Sequence, residues 1–205
     1  MITIIDYKTG NLRSIQNMLK RIGYQSIISS NPDQIKEAEK LILPGVGSFD
    51  YGMEQLENEG LIDILNTKVL VEKIPILGIC LGVQLFTLCS EEGQKKGLGW
   101  FNAKTVKFNS SKFEANQKIP HMAWSEIEAN QKSKLFKDMP ENPRFYFVHS
   151  YHLSTEIQDE IAASATYGYK FIVALEKENI IGVQFHPEKS HKFGLQVLKN
   201  FVENY

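Results

Sequence analysis

The stretch 76-ILGICLGVQLF-86 decides the fold. An apolar run, residues 76–79, ends on a cysteine. Gly78 and Gly82 stand two positions to either side of it, and a helix-period pattern over residues 81–88 follows at once. An apolar run of this length reads as a buried strand. A tight turn from strand into helix holds the residue at the turn in a strained conformation, and glycines at both flanks remove the Cβ atoms that would crowd it. The sulfur then stands clear at the carboxyl end of the strands, where open α/β sheets place their sites. The helix opening at Leu81 aims its free N–H groups at that sulfur and favours negative charge there. The Leu81 N–H is placed to donate to an oxyanion formed beside it. This is the cysteine form of a nucleophile elbow. A small, buried structural cysteine is the competing reading.

Outward from this elbow the pattern repeats. Residues 2–5, 24–29, 41–43 and 75–79 read as strands. Leu12, Ile15, Met18, Leu19 and Ile22 share one helical face that Gly23 closes, Pro32 opens a short helix at 33–39, and residues 56–71 are largely helical with a break at Gly60. Strand and helix alternating over short links predict a parallel sheet covered on both faces. After residue 100 the strands 100–108, 145–150, 161–165, 171–175 and 181–185 follow without long helices between them, which predicts antiparallel pairs. A helix over 191–202 closes the chain, with Phe193, Val197, Leu198 and Phe201 inward, and the polar stretch 109–118 reads as an exposed hairpin loop. The expected fold is therefore α/β: an open mixed, mainly parallel sheet with helices on both faces and antiparallel strands in the C-terminal half. Residues 1–205 form one domain.

Composition narrows the function classes. A formal net charge of −1 leaves no basic field for nucleic acid or an anionic membrane. No apolar run approaches the ~20 residues of a membrane span. The opening stretch, with Asp6 straight after its apolar run, reads as a strand and not a signal peptide. Cys80 and Cys89 would lie about 13 Å apart along a helix, too far for a disulfide, and free thiols fit a cytoplasmic protein. Asn109-Ser110-Ser111 is a chance glycosylation pattern.

A thiolate nucleophile needs a base and a group to orient the base. Of five histidines, His186 ends the apolar strand 180-IIGVQF-185 and precedes Pro187-Glu188. Pro187 biases His186 toward an extended backbone, where residues i and i+2 point the same way, so Glu188 can reach the His186 ring. A loop carrying an exposed ion pair is the alternative. His149 and His152 are three apart, but on a strand they face opposite sides and no further metal ligands accompany them. One buried and one exposed histidine is expected there, with no metal.

Taken together, 78-GICLGVQ-84 and 182-GVQFHPE-188 resemble the class I, triad-type glutamine amidotransferases. The stretches 5-IDY-7, 10-GNLRS-14, 44-PGVGSF-49, 90-SEEG-93, 97-GLG-99, 120-PHM-122, 146-YFVHSY-151 and 186-HPEKS-190 are similar to the glutaminase subunits of imidazole glycerol phosphate synthases, over nearly the whole chain. The resemblance implies a glutaminase without cofactor or metal. Cys80 would be the nucleophile, His186 and Glu188 its partners. Backbone groups of Val46, Gly47 and Leu81 would form the oxyanion hole. Gly45, Gln84, Glu92, His149, Ser150 and Tyr151 would line the glutamine pocket. Pro120, His121, Met122, Trp124, Tyr146 and Lys189 would face a (β/α)8-barrel cyclase, forming a heterodimer that makes imidazole glycerol phosphate and AICAR in histidine biosynthesis.

The run 120-PHMAWS-125 departs from the family's Pro-His-Met-Gly-Trp-Asn at the edge expected to face the partner. Ala123 cannot take positive φ cheaply, and Ser125 is shorter than asparagine with fewer hydrogen-bonding options. These changes motivate one alternative, a paralogous glutaminase serving another synthase, such as surface-sugar amidotransfer; a second, a catalytically silent scaffold subunit, is opposed by the intact Cys80, His186 and Glu188. A cysteine peptidase shares the nucleophile logic but not the pocket residues.

Overall fold

The computed structural model describes residues 1–205. Four strands built from the short apolar runs pair in parallel: β1 (Ile2–Ile5), β2 (Ser26–Ser29), β3 (Lys40–Gly45) and β4 (Ile76–Cys80). The helices between them are α1 (Leu12–Arg21), α2 (Pro32–Lys36), α3 (Phe49–Asn58) and α4 (Ile62–Asn66), with a π-helical turn over Thr67–Val71. After β4 come α5 (Leu81–Leu85), β5 (Lys104–Lys107), β6 (His121–Ala129), β7 (Arg144–His149), β8 (Tyr151–Ser154), β9 (Ile161–Tyr167), β10 (Tyr169–Lys177), β11 (Ile180–Val183) and α6 (His191–Asn204). The main sheet runs β2-β1-β3-β4-β11-β10-β9-β6-β7. Pairing is parallel through β11 against β4 and antiparallel beyond it. The pair β5–β8 branches off β10.

Alternation along the buried strands divides the core into two apolar layers. Ile4, Leu77 and Ile79 face α1 and α6, packing with Ile15, Leu19, Phe193, Val197 and Phe201. Ile5, Ile76, Leu41 and Leu43 face the other way, against Ile35 of α2, Phe49 and Met53 of α3, and Leu81 and Leu85 of α5. The sheet is thus covered on both faces, as the alternation of elements predicts.

Several elements differ from expectation, among them β8, which was not expected, and β5, which is shorter than the strand expected over 100–108. The helix after the elbow stops at Leu85 rather than residue 88, because the chain peels away to pair with a neighbour: Leu88 N donates to Ala103 O and Cys89 bridges Lys96. The helix expected from residue 56 already begins at Phe49, in α3. Gly52 lets α3 approach α5 closely, since a Cβ there would lie 3.0 Å from Leu81 Cδ2. The nine-residue strand β6 was not expected from sequence at all. No helix is long and apolar enough to cross a membrane.

Candidate active site

Cys80 is the last residue of β4, with φ +55° and ψ −109°. A non-glycine residue held in this region is strained, and the surroundings must impose it. The flanking glycines allow the close packing that does so. A Cβ on Gly82 would sit 1.8 Å from the Leu43 carbonyl oxygen, and one on Gly78 would sit 2.6 Å from the Phe86 ring and 2.8 Å from Val83 N. Neither glycine has positive φ; both are required by close approach alone.

β11 runs parallel beside β4, Val183 opposite Ile79, so the chain leaving β11 passes the sulfur. His186 and Glu188 meet there as expected: Nδ1 lies 2.8 Å from Glu188 Oε1, and both side chains are buried. The backbone is fixed on both sides of the ring. His186 N donates to Tyr146 O, and Ser190 Oγ donates to His186 O. Burial alone would lower the pKa of this imidazole, but the Cys80 sulfur and the Glu188 carboxylate outweigh it and hold the ring up at about 10. Nε2, the nitrogen left for Cys80, makes no well-directed hydrogen bond with any group. It is free for proton transfer.

Sequence reasoning missed the role of Gln184. This fully buried amide donates to Cys80 Sγ at 3.8 Å and accepts from Gln84 Nε2 at 3.0 Å. The signal was present: one polar side chain in an otherwise apolar strand run. Gln84 Nε2 also donates to Tyr151 O at 3.3 Å. Both its amide hydrogens are therefore engaged, and only its Oε1 remains to meet a ligand.

The elbow opens into a cavity of about 310 Å³. Val46, Gly47 and Leu81 line one side, Gln84 and Glu92 another, and His149, Ser150 and Tyr151 a third, with His186 and Cys80 at the base. The structure thus brings together all of the expected pocket residues except Gly45. That residue is buried below the loop, where a Cβ would meet the Tyr7 hydroxyl at 2.1 Å, so it is a packing position. Glu92 spends one oxygen on the helix start, accepting from Phe49 N at 2.8 Å, so its place is fixed by α3.

Met122 and Trp124 project from one face of β6 and are 60% and 42% exposed. Pro120 and Lys189 are exposed nearby, and the Lys189 ammonium lies 5.4 Å above the Tyr146 ring. His121 does not belong to this surface. Expected to face a partner, it is fully buried, because alternation along β6 turns residues 121, 123 and 125 to the opposite side. Ala123 and Ser125 lie on that inner side too, not on the face with Met122 and Trp124.

The pairing of a buried with an exposed histidine is also corrected. His149 and His152 are both buried and both bonded, His149 Nδ1 to Tyr151 O at 2.7 Å and His152 to Leu153 O and the Tyr169 hydroxyl. Burial holds His121 down to about 4 and His149 down to about 3. An unfolded histidine titrates near 6.5, so on acidification the unfolded chain takes up these protons first. Their stabilisation is present above that pH and is lost as pH falls toward 4 and then 3. Each costs about 2 kcal/mol between pH 8 and pH 5. His149→Asn, which cannot titrate, is expected to lose about that much less stability over the same span, read by urea denaturation at both pH values.

The family model described as "Glutamine amidotransferase class-I" matches residues 3–205. "Imidazole glycerol phosphate synthase subunit HisH 2" of Methanococcus maripaludis is 55% identical, the match covering 99% of each chain. The protein of the same name from Pseudomonas aeruginosa is 46% identical with the same coverage, and a HisH subunit from Leptospira borgpetersenii is 43% identical over 98% of this chain and 99% of its own. Among solved structures, PurLQS from Thermotoga maritima shares the fold with a TM-score of 0.75 at 18% identity, over 99% of this chain and 97% of that one. A strained cysteine at the strand end, a histidine held by a carboxylate two residues on, and full-length likeness to HisH agree: the chain belongs to the class I glutamine amidotransferases and, within them, to the HisH glutaminase subunits of imidazole glycerol phosphate synthase.

Proposed function

We propose that residues 1–205 act as one cytoplasmic domain that hydrolyses glutamine and hands the ammonia to a (β/α)8-barrel cyclase bound over Met122 and Trp124. The observation that carries this is the Cys80–His186–Glu188 constellation at the base of the cavity. The Cys80 thiolate attacks the side-chain carbonyl carbon of glutamine, forming the S–C bond. Backbone N–H groups of Leu81 and the Val46–Gly47 turn stabilise the oxyanion. As the C–N bond breaks, His186 Nε2 gives its proton to the leaving nitrogen, and ammonia departs. The neutral imidazole then takes a proton from water, whose oxygen attacks the thioester. Glutamate leaves and the thiolate returns. Glu188 keeps Nδ1 protonated, so Nε2 is always the transferring nitrogen. Glu188→Gln is expected to lower kcat by about 10²–10⁴-fold with little change in KM, measured by glutamate release.

Ammonia released into water becomes ammonium and is no longer a nucleophile, so a glutaminase of this kind works best when a partner encloses the site. The relatives named for imidazole glycerol phosphate synthase favour the histidine-pathway acceptor over a surface-sugar acceptor or a silent scaffold. The test is glutamate release by the chain alone, then with the barrel cyclase and its ribonucleotide ligand. Low activity alone and stimulation of about 10–100-fold are expected. Turnover that ignores the cyclase would move the acceptor to another synthase. No turnover in either case would overturn the glutaminase.

A further inference from the structure

The buried histidines of β6 and β7 have hydrogen-bond partners that leave one possible direction for every proton. His149 Nδ1 faces the Tyr151 carbonyl at 2.7 Å, and a carbonyl only accepts, so Nδ1 carries the hydrogen. Both rings are neutral, since burial keeps them from protonating near pH 7. His149 Nε2 is then a lone pair, and it lies 3.1 Å from His121 Nδ1, which must be the donor. His121 Nε2 is left as an acceptor, 2.9 Å from Ser125 Oγ, so Ser125 donates.

The geometry that makes this possible is local. His121 and His149 are cross-strand partners in the β6–β7 register. The His121 ring is held between Phe147, at 5.0 Å, and Tyr167, at 4.2 Å, nearly parallel to both. It reaches Ser125 past Ala123, whose short side chain lies between them on the same side of the strand. At its other end the chain of bonds does not stop. The Tyr151 oxygen also accepts from Gln84, Gln84 donates to Gln184, and Gln184 donates to the Cys80 sulfur. Ser125 is thus connected, without a break, to the wall of the glutamine cavity and to the nucleophile.

We propose that Ser125 and His121 are positioning residues for the glutamine pocket: Ser125 anchors the far end of the two-histidine relay, and the relay holds the Tyr151 carbonyl against which Gln84 is aligned. This rests on the glutaminase reading of the same cavity. It gives the hydroxyl at position 125 a function, because it supplies the donor that His121 Nε2 needs, a role an asparagine amide could also fill. Removing Ser125 Oγ leaves His121 Nε2 without its donor. The ring is then held at Nδ1 alone, and the Tyr151–Gln84 wall loosens.

The test uses the full-length chain without a partner, so that altered docking cannot enter. Cys80 is labelled with 6-diazo-5-oxo-L-norleucine, a glutamine-like alkylating agent, and KI is separated from kinact. Ser125→Ala is expected to raise KI about 3–10-fold with kinact within about 2-fold, the size of one lost hydrogen bond. His121→Phe, which leaves His149 Nε2 unpaired, is expected to raise KI by about 10-fold or more. His121→Asn keeps an N–H near the Nδ1 position and should recover most of the loss, as should Ser125→Thr and Ser125→Asn. In parallel, ¹⁵N NMR of the imidazoles should find both His121 and His149 protonated on Nδ1 in the wild type, with the hydrogen-bond shift of His121 Nε2 lost in Ser125→Ala. An unchanged KI in folded Ser125→Ala and His121→Phe, or His149 protonated on Nε2, would overturn the relay. If Cys80 of the wild type takes no label, the glutaminase reading fails, and the tautomers alone still decide the relay. If His121→Phe does not fold, Ser125→Ala and the NMR assignment carry the decision.

Discussion

Cys80→Ala reduces glutamate release by about 10⁴-fold or more, while the fold and the binding of glutamine survive. Three features make the effect this large. The substitution removes the only thiol in the cavity, since Cys89 sits beyond the end of α5 and pairs with Lys96. It leaves the backbone turn intact, because alanine keeps the same Cβ that cysteine carries at φ +55°. It also removes the sulfur that helps hold His186 in its charged form, so the ring loses both its reaction partner and part of its electrostatic support. Calorimetric titration with glutamine separates the two consequences: binding persists and turnover does not. A variant that still released glutamate at a substantial rate would require a different nucleophile.

Gly82→Ala is expected to be the most damaging single-methyl change in the chain. Its Cβ would lie 1.8 Å from the Leu43 carbonyl oxygen, a backbone atom in the buried strand β3 that cannot swing aside. Either α5 moves off β3 or β3 distorts, and both run through the site. β3 pairs with β4 up to Gly45 opposite Cys80, and the Val46–Gly47 turn follows directly. The expected cost is about 3–5 kcal/mol, the range of severe core defects, and whatever folds should label poorly at Cys80. Gly60→Ala is the matched control. Gly60 has φ +65° but nothing within 4 Å of its Cβ position, so that substitution should cost only about 1 kcal/mol. Denaturation midpoints of the two variants, compared at one pH, check the difference. Equal midpoints would mean that close approach at the elbow is not what the glycine provides.

The elbow and the His186–Glu188 pair were legible in the sequence because local rules determine them. An apolar run, two glycines and the start of a helix lie within seven residues, and an X–Pro bond sets the extended backbone that puts His186 and Glu188 on one side. The parallel half of the sheet was legible for the same reason: its strands are apolar on both faces and bounded by glycine, proline or a helix. β6 was not. In 121-HMAWSEIEA-129 the apolar Met122 and Trp124 face outward while a histidine and a serine face inward, so the usual alternation is inverted and no strand pattern stands out. The same inversion misplaced His121 on the partner surface. Gly45 lies outside the cavity lining, and a glycine in a loop motif and a glycine under a phenol look alike until the Tyr7 side chain is placed. The histidine relay had no sequence signal. It depends on the register of β6 against β7 and on the turn from His149 to Tyr151, which join positions distant along the chain.

The mechanism turns on a covalent glutamyl thioester at Cys80. Its most direct test is acid quenching of the full-length chain during glutamine turnover with the barrel cyclase present, followed by intact mass and peptide mapping. One glutamyl group per chain is expected, on the peptide carrying Cys80, and none in Cys80→Ala. Glutamate release with no adduct on Cys80, or with the adduct on Cys89, would contradict it.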